Sequence, residues 1–362
     1  MVIKSLQLNN YRNYSNQKIH FNSGLNVLIG QNAQGKTNML EGVFLCAIGR
    51  SPRTTKDKDL IKWGCSFSKI TLEVSKKLGN GKIEVYLFNN QNKAIKINSL
   101  PIKRMGELMG EFNAIYFSPD ELKLVKESPD ERRRFMDIDL SQFNKNYFYN
   151  LGKYNNILQQ RNKLLKVTSD RKVLADTISI WNEQLAEVGC KIIMERIKLI
   201  DKLKVYANEV QNYLTENNES LEITYVGMVG NSEQEIKEKL LNGYNMSLEK
   251  DMNLGFTTIG PHRDDMKITL NNIDVRHFGS QGQQRTVALA LKLAELEVFK
   301  DNIGEYPVLL LDDVLSELDT NRKLKLLNRV KNLQTIVTCT SFNYDIPVTK
   351  FIIENGTINT QY

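Results

Sequence analysis

Apolar and polar side chains alternate along the first 117 residues in the way that β-strands require, around one helix-like segment. Such alternation places every second side chain on the same face of a sheet. The pattern predicts strands over residues 2–8, 25–29, 69–74, 82–88 and 113–117. Gly79-Asn80-Gly81 separates two of these strands and is the expected turn of a β-hairpin.

Residues 120–250 follow a helical period instead. From Phe143 to Leu165, apolar side chains recur at spacings of three, four and seven residues, which indicates one face of a helix. A second run from Leu174 to Tyr206 follows the helix-start residues 168–170 and could extend over roughly 40 residues, or about 60 Å. We expect two unequal antiparallel helices in this part of the chain.

The last part of the chain, residues 255–362, returns to alternating strands and helices. The expected elements are a strand over 266–270 with a turn at Asn271-Asn272, a helix over 282–299, a strand that ends at Asp312, a helix over 319–330 and a strand over 335–338. This alternation indicates the α/β class. Two α/β ends therefore flank a helical segment.

The composition fits a globular protein with a mild basic excess. The chain has 362 residues, of which 41% are hydrophobic and 25% charged, and its net charge is +7. That charge permits an acidic partner such as nucleic acid or a membrane surface without requiring one. No apolar stretch approaches the ~18 residues of a membrane span. Four scattered cysteines and three histidines form neither a zinc-site spacing nor a disulfide framework, so a reducing cytoplasm is the expected location.

A glycine-rich segment between a predicted strand and a predicted helix carries the clearest chemical signal. Its sequence, Gly30-Gln31-Asn32-Ala33-Gln34-Gly35-Lys36-Thr37, matches the phosphate-loop pattern G-x-x-x-x-G-K-[ST]. The glycines let backbone N–H groups face phosphate oxygens, and the helix N-terminus adds the positive end of its dipole. Lys36 would reach the β- and γ-phosphates of ATP, and the Thr37 hydroxyl would bind Mg²⁺. The alternative is a glycine-rich surface turn with a solvated lysine.

A second candidate lies near the other end of the chain, where an aliphatic strand ends in Asp312-Asp313. Asp312 would hold Mg²⁺ directly or through its waters, and Asp313 would orient or deprotonate the attacking water. The alternative is a strand that ends in an acidic turn. Because Lys36 and Asp312 would meet at one metal ion, we expect the nucleotide domain to be assembled from both chain ends, with the helical segment inserted into it.

A third motif, Ser280-Gln281-Gly282-Gln283, precedes a strongly apolar helix. Ser280 alone could be an ordinary helix N-cap. Together with the phosphate loop and the paired aspartates, however, the motif resembles the S-G-G-Q signature of an ABC-type ATPase head, with Gln281 in place of a glycine. The resemblance implies that this signature contacts the γ-phosphate held by a second subunit. It also implies that Ser316-Glu317-Leu318-Asp319 is the D-loop, with Ser316 and Asp319 near the same interface.

The split head with inserted helices is similar to the SMC-like branch of this superfamily, and within it the whole chain resembles the RecF family. The supporting segments are Asn10-Tyr11-Arg12-Asn13-Tyr14, Pro119-Asp120 with Pro129, Arg132-Arg133-Arg134-Phe135-Met136-Asp137, Gly260-Pro261-His262-Arg263-Asp264-Asp265, Ser280-Gln281-Gly282-Gln283-Gln284-Arg285 and Asp312-Asp313 with the D-loop. The resemblance implies an ATPase domain (lobe I) over residues 1–118 and 255–362, and an inserted helical domain (lobe II) over 119–254.

The same resemblance implies a function. Two subunits would dimerise head to head around ATP and Mg²⁺ on gapped or junction double-stranded DNA, and slow hydrolysis would release them. With RecR and RecO, such a protein would help to load RecA in recombinational repair, within the SOS response. Asp313 stands where most ABC heads have glutamate, which fits slow hydrolysis. The usual switch histidine is absent, so Thr340 or Ser341 would take its place.

Several basic residues remain open to two interpretations. By resemblance Arg12 would touch the nucleotide, and the alternative is a surface arginine. Arg50, Arg53 and Lys56 form a basic loop after the phosphate-loop helix. They could bind DNA phosphates, or they could belong to a solvated loop with interleaved aspartates.

Two other functions have to be weighed against DNA repair. A transporter-type ATPase subunit would dock on a membrane partner, which the helical insert and the missing switch histidine argue against. An SMC-like structural chromosome protein would need long arms and a hinge, and the segment between the two head halves is too short for them.

Overall fold

The computed structural model describes residues 1–167 and 171–361, so the expected helix-start residues 168–170 lie outside the described residues. The chain forms two compact units, one of residues 1–121 and 292–362 and the other of residues 122–291. The first unit thus combines both chain ends.

The strands are, in chain order, β1 (Val2–Tyr11), β2 (Tyr14–His20), β3 (Leu25–Ile29), β4 (Phe67–Lys76), β5 (Gly79–Phe88), β6 (Ala94–Ile97), β7 (Leu100–Pro101), β8 (Ala114–Phe117), β9 (Leu221–Val226), β10 (Asp265–Leu270), β11 (Ile273–Asp274), β12 (Val308–Asp312), β13 (Thr335–Cys339), β14 (Thr349–Glu354) and β15 (Thr357–Gln361). The α-helices are α1 (Lys36–Ile48), α2 (Lys123–Lys126), α3 (Pro129–Phe143), α4 (Lys145–Val167), α5 (Arg171–Thr215), α6 (Glu233–Met246), α7 (Leu248–Leu254), α8 (Val275–Phe278), α9 (Gln281–Ile303) and α10 (Thr320–Val330).

The first unit contains two sheets. One is antiparallel, in the order β2-β1-β4-β5-β6-β7, and the other has the order β15-β14-β3-β13-β12-β8. In the second sheet every neighbouring pair is parallel except β14 with β15. Buried aliphatic runs such as Val308–Asp312 suit a parallel sheet covered on both faces. Because β3 pairs with β13 and β14, strands from the two chain ends lie side by side.

The hairpin of β4 and β5 turns earlier than the sequence predicts. The turn consists of Lys77 and Leu78, and Gly79-Asn80-Gly81 is the start of β5. The prediction of the turn at the glycines is therefore wrong. The strands pair without interruption from Phe67↔Phe88 to Lys76↔Gly79, so continued pairing of the apolar faces extends the ladder past the turn-forming residues.

The second unit is built on the two expected antiparallel helices. α5 has 45 residues, and contacts of Asn144 with Glu195 and of Arg161 with Asn182 show its antiparallel course beside α4. A small sheet in the order β11-β10-β9 completes the unit. β10 pairs with β9 over its whole length, from Asp265↔Val226 to Leu270↔Leu221. Consequently residues 255–291, which the sequence analysis grouped with the nucleotide lobe, pack with the inserted unit.

Among the described residues, no helix is both long enough and apolar enough to cross a bilayer.

Candidate nucleotide site

The phosphate loop connects β3 to α1 and needs glycine at two positions. Gly35 has φ = 114°, and a Cβ there would lie 2.6 Å from Asn13 Nδ2. At Gly30 a Cβ would lie 2.3 Å from the Ile353 carbonyl oxygen. Any side chain would therefore press on the Ile353 backbone at Gly30 and on the Asn13 side chain at Gly35. The loop geometry fits the anion cradle that the motif predicts.

Lys36 begins α1 and is folded over this loop, with only 7% of its surface exposed. Its Nζ donates to the carbonyl oxygens of Gly30 at 2.5 Å and of Gln31 at 2.8 Å. Burial lowers the pKa of Lys36, and the negative charges of Asp313 and Asp312 oppose that effect. The ammonium group is thus held among the loop carbonyls close to both carboxylates, where phosphate oxygens would be preferred partners.

Asp312, at the end of β12, is 6% exposed and accepts three hydroxyl hydrogen bonds. Thr37 Oγ1 and Thr338 Oγ1 each donate to Asp312 Oδ1 at 2.8 Å. Tyr116 OH donates to Oδ2 at 2.8 Å. The structure therefore brings Thr37 and Asp312 together from opposite chain ends, as the sequence predicts for a shared metal site.

The oxygen donors at this position suit Mg²⁺. A hydroxyl and a carboxylate in contact are the hard ligands that Mg²⁺ takes from a protein when nucleotide phosphates and waters supply the rest. Within residues 1–167 and 171–361 no group of three or more His, Cys, Asp or Glu side chains could hold a metal by itself. The contact of Thr37 with Asp312 thus offers oxygen ligands that fit a metal bound together with a nucleotide.

Asp313 adopts the left-handed conformation, with φ = 54°. Its N–H donates to Thr338 Oγ1 at 2.8 Å, and its carbonyl oxygen accepts from Ser316 Oγ at 2.7 Å. This conformation is uncommon outside glycine and turns the chain sharply away from the end of β12. Two hydrogen bonds therefore hold Asp313 next to the phosphate-loop lysine.

The two expected D-loop residues, Ser316 and Asp319, differ from each other in their surroundings. Ser316 is exposed at the end of the short 3₁₀ helix Val314–Glu317. Asp319 caps α10, because its carboxylate accepts from Arg322 N and from Arg322 Nη1, each at 2.9 Å. Asp319 therefore has a structural task in the single chain.

Ser280 and Gln283 form a capping box at the start of α9. Ser280 Oγ accepts from Gln283 N at 3.2 Å, and Gln283 Oε1 accepts from Ser280 N at 2.9 Å. The N-cap interpretation is thus correct for the single chain. Ser280 and Gln281 are nevertheless exposed, and Gly282 is half-buried, so the motif is accessible to a second molecule.

Arg12 is fixed by the phosphate-loop helix. Its Nε and Nη2 donate to the two carboxylate oxygens of Glu41 at 2.9 and 2.8 Å, and Nη1 donates to the Asp59 carbonyl at 2.9 Å. Glu41 is fully buried and also accepts from Ser51 Oγ at 2.6 Å. Glu41 could not be identified from the sequence, because its place on an apolar helix gives no motif.

The three basic candidates after α1 are all exposed but differ in their contacts. Arg53 donates to Asn38 Oδ1 at 3.0 Å and lies 3.7 Å from Glu41, so it is tied to α1. Arg50 and Lys56 are exposed, and neither forms an ion pair with any residue that the structure describes.

The C-terminal hairpin of β14 and β15 contacts the phosphate loop. Asn355 N donates to Gln34 Oε1 at 2.5 Å, and Gly356 N donates to the Gln34 carbonyl at 3.0 Å. Asn13 Nδ2 donates to the same carbonyl at 3.0 Å. The sequence analysis missed this support, since nothing in the spacing connects residue 34 to residue 355.

Comparison with known proteins identifies close relatives of this chain. The family model described as RecF/RecN/SMC N terminal domain matches residues 2–346. The DNA replication and repair protein RecF of Clostridium novyi is 44% identical over 99% of this chain and 100% of the relative. RecF of Ruminiclostridium cellulolyticum is 48% identical over 94% of this chain and 93% of the relative.

Solved structures extend the likeness to three dimensions. The recombination mediator protein RecF with ATPrS, of the RecFOR pathway, has a TM-score of 0.92 at 39% identity and covers 99% of this chain and 97% of that chain. An SMC head bound to the C-winged helix domain of ScpA has a TM-score of 0.59 at 14% identity, covers 100% of this chain and 98% of that chain, and shows the fold alone. The predicted fold class, an SMC-like head of the ABC type, is confirmed.

Proposed function

The chain belongs to the RecF family of DNA replication and repair proteins, within the ABC-like ATPases, and we propose that it is an ATP-controlled dimer that holds gapped or junction DNA. ATP would close the dimer, and its slow hydrolysis would open it. The contact between Thr37 and Asp312 carries this proposal, because it joins the phosphate loop to a metal carboxylate at 2.8 Å.

The phosphate-loop residues bind the nucleotide in this proposal. The backbone of Gly30, Gln31, Asn32, Ala33, Gln34 and Gly35 surrounds the phosphates, Lys36 exchanges its carbonyl partners for phosphate oxygens, and Thr37 with Asp312 binds Mg²⁺. When bound, Mg²⁺ neutralises charge on the phosphate oxygens. Arg12 lies at the same helix and would border the nucleotide. Two solved RecF structures, one with ATPrS and one with ATP, support nucleotide binding by this chain.

The signature acts between subunits in this proposal. Ser280, Gln281, Gly282 and Gln283 begin a helix whose N-terminus suits an anion. Because Ser280 and Gln281 are exposed, they are free to meet the γ-phosphate held by a second copy, with Ser316 and Asp319 beside that contact. Loss of the γ-phosphate would then remove the group that bridges the two copies.

Asp313 would orient or deprotonate the attacking water. Its position is fixed through Thr338 and Ser316, and its charge acts on Lys36. An aspartate is one methylene shorter than the glutamate usual in ABC heads, so the carboxylate reaches less far. We therefore expect weak ATP hydrolysis that acts as a timer.

DNA would be the partner of the closed dimer, with Arg50, Arg53 and Lys56 as candidate phosphate contacts. The name RecFOR in the related structures supports action with RecR and RecO. Loading of RecA would be the result of that action. A transporter subunit or a structural chromosome protein is not favoured, because full-length relatives are repair proteins.

The molecular mass in solution tests this proposal. Light scattering coupled to size exclusion is run with ATP, with ADP and without nucleotide, on the wild type, Asp313→Asn and Lys36→Met. We expect a dimer only with ATP, a longer-lived dimer for Asp313→Asn, and a monomer throughout for Lys36→Met.

Asp201→Asn is the matched control, since Asp201 is an exposed carboxylate on α5 that pairs with Lys204. A monomer with ATP even in Asp313→Asn would refute the two-headed arrangement. ATP-dependent DNA binding by Lys36→Met would remove the phosphate loop from the mechanism.

A further inference from the structure

Trp63 is 96% exposed. A tryptophan has a large apolar surface that proteins usually bury at least in part, so a fully exposed indole is an informative exception. The residue has no role in the nucleotide site described above.

The turn that carries Trp63 is held in place by backbone hydrogen bonds. Ile61 forms a bridge with Tyr11, and Lys62 N donates to the Asn10 carbonyl at 2.9 Å. Cys65 N donates to the Lys62 carbonyl at 3.0 Å, and Cys65 O accepts from Asn89 Nδ2 at 3.0 Å. The backbone that carries the ring is therefore ordered, so a partner has to fix only the side-chain rotamers of Trp63.

The segment just before this turn carries two lysines that are available to a partner. Lys56 and Lys58 are exposed and form no ion pair within the described residues. The two aspartates of this segment have other partners. Asp57 pairs with Lys93 at 3.0 Å, and Asp59 accepts a hydrogen bond from Thr54 at 2.9 Å. Lys58 is five residues from Trp63, so their Cα atoms are separated by at most ~18 Å.

A flat aromatic ring in the same surface segment as two lysines outside ion pairs fits a nucleic-acid strand with accessible bases. Bases stack on aromatic side chains, and lysines contact the phosphates that flank them. A protein-docking site would instead need a continuous apolar patch. Between residues 50 and 70 the exposed large apolar side chains are Trp63 and Phe67, which is 45% exposed. Gly64, Cys65 and Ser66 lie between them in the chain, so they are two separate rings and not a continuous apolar patch.

We propose that Trp63 stacks on an unpaired base at a gap or junction, while Lys56 and Lys58 contact the adjacent phosphates. In a continuous duplex both faces of every internal base are covered by neighbouring base pairs, so Trp63 adds affinity only where a strand is unpaired. Trp63 is thus a specificity-determining residue that distinguishes gapped DNA from continuous duplex. This inference rests on the proposed function, because it assumes that the protein binds DNA.

Fluorescence anisotropy with labelled DNA tests the proposal on the full chain with ATP. The probes are a continuous duplex and a duplex of the same length with a single-stranded gap. For Trp63→Ala we expect about 5- to 150-fold weaker binding of the gapped probe, the range for loss of one stacked base, and less than about twofold change on the duplex. Trp63→Phe should retain part of the preference, because it keeps an aromatic ring.

Leu78→Ala is the matched control, since Leu78 is 98% exposed in another turn of the same unit. It should leave both affinities unchanged. Equal losses on the two probes would assign Trp63 to general DNA contact, and no loss on either would assign the ring to a different partner; each result overturns the proposal. If the wild type binds neither probe, the proposed function itself fails, which is a separate outcome.

The indole fluorescence gives a second readout. In a Trp181→Phe background Trp63 is the single tryptophan, because the chain contains two. Stacking should quench its emission with the gapped probe and not with the duplex. Quenching of equal size with both probes would contradict base stacking.

Discussion

Residues outside the sequence motifs help to orient Asp312 in the proposed metal site. Its carboxylate is oriented by hydroxyls from three elements: Thr37 of α1, Tyr116 of β8 and Thr338 of β13. Such surrounding hydrogen bonds fix the direction in which a carboxylate offers its lone pairs to a metal. Tyr116 is buried, and this burial together with the charge of Asp312 raises the pKa of its phenol strongly.

Tyr116→Phe should therefore weaken Mg²⁺ binding without removing a ligand. Without the hydrogen bond to Oδ2, the Asp312 carboxylate is held only at Oδ1. We expect about 10- to 100-fold weaker binding of Mg²⁺ in the presence of ATP. A Mg²⁺ titration with a fluorescent ATP analogue measures it. Tyr306→Phe is the control, because Tyr306 bonds Glu297 and Lys300 on α9. Unchanged Mg²⁺ dependence in Tyr116→Phe would show that Asp312 needs no such support.

The sequence could reveal Lys36, Thr37 and Asp312 because each belongs to a short pattern with a chemical reason. Tyr116 and Thr338 could not be found in this way. They act only through the neighbouring order β13-β12-β8, which sets their hydroxyls beside Asp312 and which no local pattern encodes. Their signal is positional: both lie near the carboxyl ends of parallel strands, where ligand sites form.

At the scale of elements, the C-terminal hairpin is the support that the sequence analysis did not foresee. Its turn, Asn355-Gly356, holds Gln34 of the phosphate loop. Gly356 has φ = 73°, and a Cβ there would lie 2.9 Å from the Asn13 carbonyl oxygen. The hairpin therefore couples β14 directly to the proposed nucleotide site.

Gly356→Ala should lower both stability and ATP affinity. The left-handed conformation costs an alanine about 1 kcal/mol, and the close contact with Asn13 shifts the turn away from Gln34. Gly304→Ala is a matched control with φ = 76° and open space around the added Cβ. We expect thermal unfolding to detect a loss in both variants and equilibrium ATP binding to detect one only in Gly356→Ala. Equal ATP affinities would mean that the hairpin does not shape the loop.

Two buried titratable groups of the second unit, His262 and Asp264, should change its stability with pH in opposite directions. Burial lowers the pKa of His262 to about 4, with Tyr154 OH at its Nδ1 and the Thr257 carbonyl at its Nε2. Burial raises the pKa of Asp264 to about 6, although a hydrogen bond from Tyr225 opposes this. The stability that neutral His262 contributes is present above about pH 6.5 and is lost as the pH falls toward 4. The stability from protonated Asp264 is present below about pH 3.8 and is lost as the pH rises through 6.

Each effect amounts to roughly 3 kcal/mol, so the two nearly cancel between pH 4 and pH 6. Relative to the wild type, His262→Gln should make the unfolding free energy fall as the pH rises from 4 to 6. Asp264→Asn should make it rise over the same interval. Urea denaturation at pH 4, 5 and 6 measures the slopes. Parallel slopes in all three proteins would show that neither group titrates differently in the folded state.

Element prediction succeeded where periodicity was long and failed where pairing decided the outcome. The helices around Tyr154 and Leu185 followed from their apolar spacing, because one stripe is buried in each. The turn of β4 and β5 did not follow from Gly79-Asn80-Gly81, since the paired ladder extends past them. Likewise β14 was missed, because its place beside β3 depends on a partner far away in the chain.

At the scale of the whole molecule, the net charge of +7 per chain strengthens DNA binding most if ATP joins two copies. A dimer presents about twice the number of cationic contacts to one DNA, and each contact adds to the salt dependence of binding. We expect the slope of log affinity against log salt to be about twice as steep with ATP as with ADP. Anisotropy titrations between 50 and 200 mM KCl measure the slope. Identical slopes with both nucleotides would contradict dimerisation on DNA.

The position of β3 between β13 and β14 also has a consequence for synthesis of the protein. Translation of the intervening residues 30–334 takes roughly 15–60 s at 5–20 residues per second. During this interval the nascent chain carries β3 without either of its final neighbours. The ribosome must therefore deliver the second chain end before the phosphate loop acquires its final support. A stalled nascent chain that ends before β13 lacks Asp312's partner Thr338 and both strands that flank β3.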